Sequence, residues 1–285
     1  MIKYSIIIPH HNNTDTLQQL LDSIPQNGSF QIIIVDDCSD KIDFTSFPGI
    51  ERKDVQLIRM ESCQGAGTAR NIGLEYANGK WVLFADADDY FMPELETRLD
   101  TAATLNKDIV IFNIDTTDNN SLQGKKYHQY ISSYKNEDAT KRDVLYRTWT
   151  PWAKLYNHNF IKKNKLYFQP RKKGNDCFFA LTANAMAKEI EIIDIPLYHL
   201  RYSPKSLSHT NMMNWDYMFD VYDLWLWRYY FYKTHNIPLW KEYNILYPFK
   251  EIKKKFGIRK AFFFLFLGLK YKYNFLEFIK IRLLE

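Results

Sequence analysis

The chain has 285 residues, 46% hydrophobic and 25% charged. That composition excludes a disordered or collagen-like protein and leaves room for one large core, or a core and a small second lobe. The net charge of +5 is concentrated at one end: residues 241–285 hold eleven Lys/Arg against four Asp/Glu, net +7, while residues 1–240 carry net −2. No nucleic-acid motif accompanies this basic tail, so an anionic membrane surface is the better partner for it. Cys38, Cys63 and Cys177 show no metal-ligand spacing and leave one cysteine unpaired, which favours a reducing cytoplasm over secretion. The N-terminus agrees, because its apolar stretch is too short for a signal peptide and lacks a small-residue cleavage site.

In chain order, residues 4–9 and 31–35 are Ile/Val-rich runs that predict strands, separated by Leu17, Leu20, Leu21 and Ile24 at helical spacing. Residues 55–59 predict a strand, 67–77 a helix, 81–85 a strand, 93–105 a helix and 108–113 a strand. Strands alternating with helices of this length predict an α/β fold with a mostly parallel sheet covered on both faces. The polar residues 115–126 predict a surface loop between two halves, and residues 177–187 a helix. Ten of the eighteen residues 215–232 are aromatic, too many on all sides for an ordinary surface helix. Residues 261–269 are an apolar run bracketed by Lys260 and Lys270. The run is too short to span a bilayer and suits either the headgroup layer or packing on its own domain.

Three carboxylates, Asp86, Asp88 and Asp89, follow the strand at 81–85, where an α/β sheet presents its ligand-binding residues. Alternation along the exit predicts Asp86 and Asp88 on one side, close enough to share a divalent cation. The segment Gly65-Ala-Gly-Thr-Ala-Arg70 is not a dinucleotide fingerprint, because Arg70 replaces the third glycine and the segment does not follow the first strand. Strand, acid pair Asp86-Ala87-Asp88 and the upstream Ala69-Arg70-Asn71 together resemble the family 2 glycosyltransferases, a GT-A fold of Rossmann-like character.

The resemblance extends over residues 4–209. Ser5-Ile-Ile-Ile-Pro-His-His-Asn12 is similar to the family's first strand, which implies that Pro9, His11 and Asn12 open the nucleotide pocket, with His11 where Tyr is common. Ile33-Ile-Val-Asp-Asp-Cys-Ser-Asp40 is similar to the Val-Asp-Asp-Gly-Ser-x-Asp pattern, with Cys38 in place of Gly. Asp37 then accepts from a uracil imide N–H, with Asp36 beside it for pocket geometry or the ribose. The alternative is a turn built by Asp and Ser side chains. Arg70 organises the acids or reaches the sugar nucleotide, or else makes a surface salt bridge. The resemblance implies that Asp86 and Ala87 touch the donor and that Asp86 with Asp88 holds Mn2+ or Mg2+.

Further on, Trp149-Thr-Pro-Trp-Ala-Lys-Leu-Tyr156 and Gly174-Asn-Asp176 are similar to the Trp-x-Lys-Leu-Tyr element and the Glu-Asp pair, with Asn175 replacing Glu. Asp176 is then the catalytic base; read from the residues alone, it is a helix N-cap. The stretch 198–208 is similar to the closing element, with Arg201, Lys205 and His209 as candidates for the diphosphate.

The resemblance implies an inverting, metal-dependent hexosyltransferase, cytoplasmic and peripheral at the inner face of the cell membrane. Its donor is a nucleotide-sugar, expected to be a UDP-sugar, and its acceptor a surface glycan or lipid-linked glycan. Residues 1–210 form the GT-A domain, 1–114 binding nucleotide and 115–210 acceptor, and 211–285 a helical, aromatic and basic extension that contacts membrane through 241–285. The rival readings are a non-catalytic sugar-nucleotide-binding subunit and a sugar-1-phosphate nucleotidylyltransferase. The second needs a Gly-rich loop after the first strand, where this chain has Pro-His-His-Asn.

Overall fold

The structure is a computed structural model that describes residues 2–40, 42–115, 122–136, 140–171, 174–201 and 214–273. The chain divides into two compact units, residues 1–209 and 210–285.

The first unit contains β1 (Tyr4–His10), α1 (Thr14–Asp22), β2 (Phe30–Asp36), β3 (Val55–Arg59), α2 (Ala66–Tyr76), β4 (Trp81–Phe84), β5 (Tyr90–Phe91) and α3 (Leu95–Thr104). It continues with β6 (Ile109–Asp115), α4 (Leu122–Lys135), α5 (Lys141–Arg147), β7 (Lys154–Asn157), α6 (His158–Lys163), α7 (Asn175–Met186) and β8 (Ile190–His199). All eight strands form one sheet in the order β3-β2-β1-β4-β7-β6-β8-β5. The β3-β2-β1-β4 half is wholly parallel, and β6 pairs parallel with β8. Strands β7 and β5 run antiparallel to their neighbours, making the sheet mixed.

The apolar runs of β1 and β2 reflect their position: nearly every residue is buried because both faces of these central strands are covered. Helix α2 packs on β1 and β2. Gly73 permits this, since a Cβ there would collide with the Ile7 side chain. Phe84, Tyr156, Phe168 and Phe179 form a mutually packed aromatic cluster, with Phe168 and Phe179 stacked at 4.2 Å.

Two sequence expectations change. The polar stretch 115–126 is not loop throughout, because α4 begins at Leu122 and packs on β6 and β8 through a face that includes Tyr127 and Ile131. The cysteine count, read as favouring a reducing compartment, includes a bonded pair. Cys38 and Cys63 form a disulfide with Cα atoms 5.1 Å apart, and Cys177 is buried outside it. The 25-residue separation concealed a meeting of two loops that the parallel β2-β3 pairing brings to one sheet edge.

The second unit contains α8 (Trp215–Thr234), α9 (Leu246–Phe256) and α10 (Ile258–Lys270). Its aromatic excess forms its core: Trp225, Tyr229 and Tyr232 of α8 meet Tyr243, and Trp225 and Tyr229 also meet Tyr273. The Tyr273 hydroxyl donates to Tyr243 O at 2.6 Å and accepts from Ile245 N at 3.1 Å. Helix α10 buries Ala261, Phe264 and Gly268 and exposes Phe262, Phe266 and Leu269 at 60%, 68% and 59%. No helix among the described residues is long and apolar enough to cross a membrane.

Candidate active site

Strand β4 ends at Phe84, two residues before the acids, and the chain then turns, with Asp89 N donating to Asp86 O at 3.1 Å. Strand alternation therefore does not align Asp86 with Asp88; the turn does. It gathers Asp89 as well, so that a carboxylate oxygen from each of the three lies within 4.8 Å of the others. Tyr198 and Arg201, at the end of β8, fasten this turn. The Tyr198 hydroxyl accepts from Asp86 N, and Asp89 Oδ1 accepts from Arg201 N, both at 2.8 Å.

Burial, reinforced by the Asp86 charge, pushes the Asp88 carboxyl up to about 6. Burial and then the neighbouring charges of Asp88 and Asp86 push Asp89 well above the carboxylate range. Three hard oxygen donors crowded together with too little positive charge among them fit a Mg2+ or Mn2+ ion.

Arg70, in the middle of α2, is only 5% exposed, which removes the surface salt-bridge alternative. Its guanidinium donates through Nη2 to Asp86 Oδ1 at 2.5 Å and through Nη1 to Asn175 Oδ1 at 3.0 Å, and sits 5.4 Å from the Phe168 ring centroid. Asn175 opens α7, with Gly174 as its N-cap at φ 74°. Asp176 is therefore in the first turn rather than at the cap, and its Oδ1 accepts from Cys177 N at 2.8 Å. Burial raises the Asp176 carboxyl, Arg70 opposes the rise and Asp86 adds to it.

Sequence reasoning treated Asn175 as a tolerated replacement and missed that it receives Arg70. It also missed Lys154, whose ammonium is fully buried and donates to Thr148 O at 2.7 Å. Burial lowers that lysine to about 7, against the pull of Cys177 and Asp176. The segment Trp149–Tyr156 contained the signal, a lysine set between Trp152-Ala153 and Leu155-Tyr156.

At the other end of α2, Asp37 is 8% exposed and its two oxygens accept from Gln64 N at 2.7 Å and Gly65 N at 2.8 Å. Asp36 is fully buried; one oxygen meets His10 Nδ1 at 2.8 Å and the Ser39 hydroxyl at 2.5 Å, and the other accepts from Ser39 N at 2.9 Å. Of the two roles expected for Asp36, pocket geometry or the ribose, these contacts fit the first, since Asp36 faces inward and shapes the loop. Pro9 lies within β1, which runs on to His10.

His11 is exposed and its Nδ1 meets Asp37 O at 2.7 Å. Asn12, at φ 51°, donates its amide to Asp40 Oδ1 at 2.9 Å and its backbone N–H to Ser39 Oγ at 2.8 Å. Ala87 is buried and its carbonyl accepts from Thr16 Oγ1 at 2.8 Å. The Arg201 side chain engages Gln19 and lies 5.8 Å from the Tyr90 ring centroid, beside the acids rather than pointing clear of them. Lys205 and His209 lie outside the described residues.

Residues 5–183 match Glycosyl transferase family 2. Over 211 residues the chain is 26% identical to the poly(ribitol-phosphate) beta-N-acetylglucosaminyltransferase TarS of Staphylococcus aureus, covering 70% of this chain and 35% of that protein. The chain thus spans about a third of that relative's length. The crystal structure of S. aureus TarS 1-349 in complex with UDP-GlcNAc superimposes with a TM-score of 0.63 at 24% identity, covering 80% of this chain and 66% of that one. The mannosyltransferase PcManGT from Pyrobaculum calidifontis, in complex with GDP-Man and Mn2+, gives 0.50 at 16% identity over 82% and 62% of the two chains. Since one continuous match takes in β1, the Asp37 loop, Arg70, the acid turn and Asp176, the chain belongs to glycosyl transferase family 2 and has the GT-A fold.

Proposed function

We propose that this glycosyltransferase moves a sugar from a UDP-sugar, with inversion, to a hydroxyl of a surface glycan or lipid-linked acceptor. Residues 1–114 bind the nucleotide and 115–210 the acceptor. The observation that carries the reading is the Arg70 bridge, which ties the acid turn through Asp86 to the first turn of the helix bearing Asp176. Donor acids and a candidate base thereby share one rigid frame.

Asp176, raised by burial, accepts the proton of the attacking hydroxyl. The new bond forms at the anomeric carbon as its bond to the diphosphate oxygen breaks, with no covalent enzyme intermediate. Asp37 accepts from the imide N–H of uracil, a donor that cytosine lacks. Asp86, Asp88 and Asp89 would hold Mg2+ or Mn2+, which when bound neutralises charge on the departing diphosphate. The S. aureus relative with UDP-GlcNAc and the Pyrobaculum enzyme with GDP-Man and Mn2+ support this class of donor and metal.

The second unit is the membrane-facing part. Exposed Phe262, Phe266 and Leu269 on α10 and the run Lys253-Lys254-Lys255 closing α9 combine apolar and cationic groups suited to anionic headgroups.

The test is donor hydrolysis over a panel of UDP-sugars. EDTA should abolish turnover, Mn2+ or Mg2+ should restore it, and Asp88→Ala should be folded and inactive. Full turnover by metal-stripped protein would overturn the assignment of the acids.

A further inference from the structure

Two of the positions that depart from the family's pattern, His11 and Cys38, meet in space together with Cys63. One ring nitrogen of His11 and both sulfurs lie within 4.8 Å of one another. Cys38 and Cys63 are bonded, and their Cα separation of 5.1 Å falls inside the roughly 4.4–6.8 Å usual for disulfides. Cys63 is exposed and Cys38 half-buried, so an external thiol reaches the Cys63 sulfur more readily. His11 Nδ1 faces the Asp37 carbonyl and must donate to it, which leaves the lone pair of the neutral ring on Nε2. The Asn12 amide is 3.2 Å from that nitrogen.

We propose that Cys38 and Cys63 form a reversible thiol–disulfide site at the lip of the donor pocket, worked by small dithiols and disulfides, whose state sets the grip on the nucleotide base through Asp37. The inference rests on the assignment of Asp37 to the base. The coupling is short on both sides of that carboxylate. Cys38 follows Asp37 directly, and the N–H groups that hold the two Asp37 oxygens belong to Gln64 and Gly65, the residues immediately after Cys63. The disulfide therefore staples the β2 exit loop to the loop that orients the carboxylate. Its cleavage lets the second loop move away from the first.

The chemistry balances. A thiolate of the dithiol attacks the Cys63 sulfur; the bond to Cys38 breaks, and Cys38 leaves as a thiolate. The second thiol of the reagent then displaces Cys63 and the reagent departs as a cyclic disulfide. Two electrons pass to the protein, and two protons from the reagent's thiols end on Cys38 and Cys63. Oxidation by a small disulfide runs the reverse course.

The experiment equilibrates the full chain in dithiol/disulfide buffers of graded ratio, with Mg2+ present and zinc and copper stripped. Thiols are counted by alkylation and mass, and UDP affinity is measured by calorimetry. The expected result is a gain of two alkylation adducts on reduction, accompanied by UDP binding weaker by about tenfold, the order of one charge-assisted hydrogen bond. Reoxidation should restore the affinity. Cys63→Ser should bind as the reduced protein does in every buffer. Equal affinity in both states, no interconversion, a redox effect that survives in Cys63→Ser, or a change seen only on adding Zn2+ would overturn the proposal. Asp37→Asn separates the two ideas: if it binds UDP like the wild type, the base assignment fails, whereas equal affinity of the two redox states beside a weakened Asp37→Asn refutes the switch alone.

Discussion

Replacing Arg70 by Met removes the bridge between the acid turn and α7 while keeping most of the apolar stem that lies near Phe168. The Asn175 amide oxygen is buried and loses its donor, a cost of about 1–3 kcal/mol. Asp86 is 34% exposed at its side chain, so water replaces much of what Arg70 supplied there and the ion pair itself counts for less than about 1 kcal/mol. The sum is about 1–4 kcal/mol, which for a unit of this size lowers the melting temperature by roughly 2–16 °C.

Arg70 also opposes the rise of the Asp176 carboxyl, so its loss raises that group further and moves the acid limb of the pH–rate profile upward. Arg70→Lys should resemble Met more than wild type, because a single ammonium cannot reproduce a fork donating in two directions. Thermal unfolding by circular dichroism and UDP-sugar turnover against pH measure both effects. An unchanged melting temperature with an unmoved acid limb would refute the bridge.

Asp176→Asn should retain UDP affinity and lose transfer by about 10²- to 10⁴-fold, with calorimetry and product formation as the paired readouts. Because burial raises Asp176, wild-type transfer should fall as pH drops through a value above the ordinary carboxylate range, a limb that a residual rate in the Asn variant should lack. Protons compete with a cation for Asp88, so the apparent affinity for Mn2+, followed by activation curves, should weaken as pH falls through about 6. Gly79→Ala places a Cβ 2.6 Å from Ser5 N, a backbone atom that cannot rotate away, and should cost about 1–3 kcal/mol in a denaturant melt. Phe262→Ser with Phe266→Ser should weaken sedimentation with anionic liposomes and leave UDP binding intact; unchanged sedimentation would remove α10 from the membrane reading.

The first half of the fold was readable because its strands are buried on both faces and therefore spell themselves out as continuous Ile/Val runs, as in Ile6-Ile-Ile and Ile32-Ile-Ile. Beyond β6 the pattern blurs. Strand β7 is four residues long and contains a buried lysine, and β5 has two residues, so neither carries a periodicity to detect. The acids at 86–89 were legible from their place after a strand, but the means of their convergence was not, since a turn leaves no alternation. Asn175 and Tyr198 escaped for a different reason. Each acts through one long-range hydrogen bond, to Arg70 and Asp86, that only the folded chain reveals.

Helix α2 has an implication for how donors are measured. The chain entering it supplies Gly65 N to Asp37, and five residues later Arg70 reaches Asp86. Five residues of helix advance about 7.5 Å, so the Asp37 carboxylate and the acid turn, proposed to meet the base and the diphosphate, are gauged against a single rod. The rod cannot slide: Gly73 is pressed on Ile7, and a Cβ at Gly67 would come within 2.6 Å of Gln169 O and 2.8 Å of Asn175 Cβ. If Asp37 and the acid turn hold the two ends of the donor as proposed, a longer or shorter spacer between base and sugar would not be accommodated by small adjustments at either end, because moving one mark moves the other. Under the proposed assignment of Asp37 to the base and the acid turn to the diphosphate, selection for nucleoside diphosphate length would follow from helix rise, whichever sugar the donor carries.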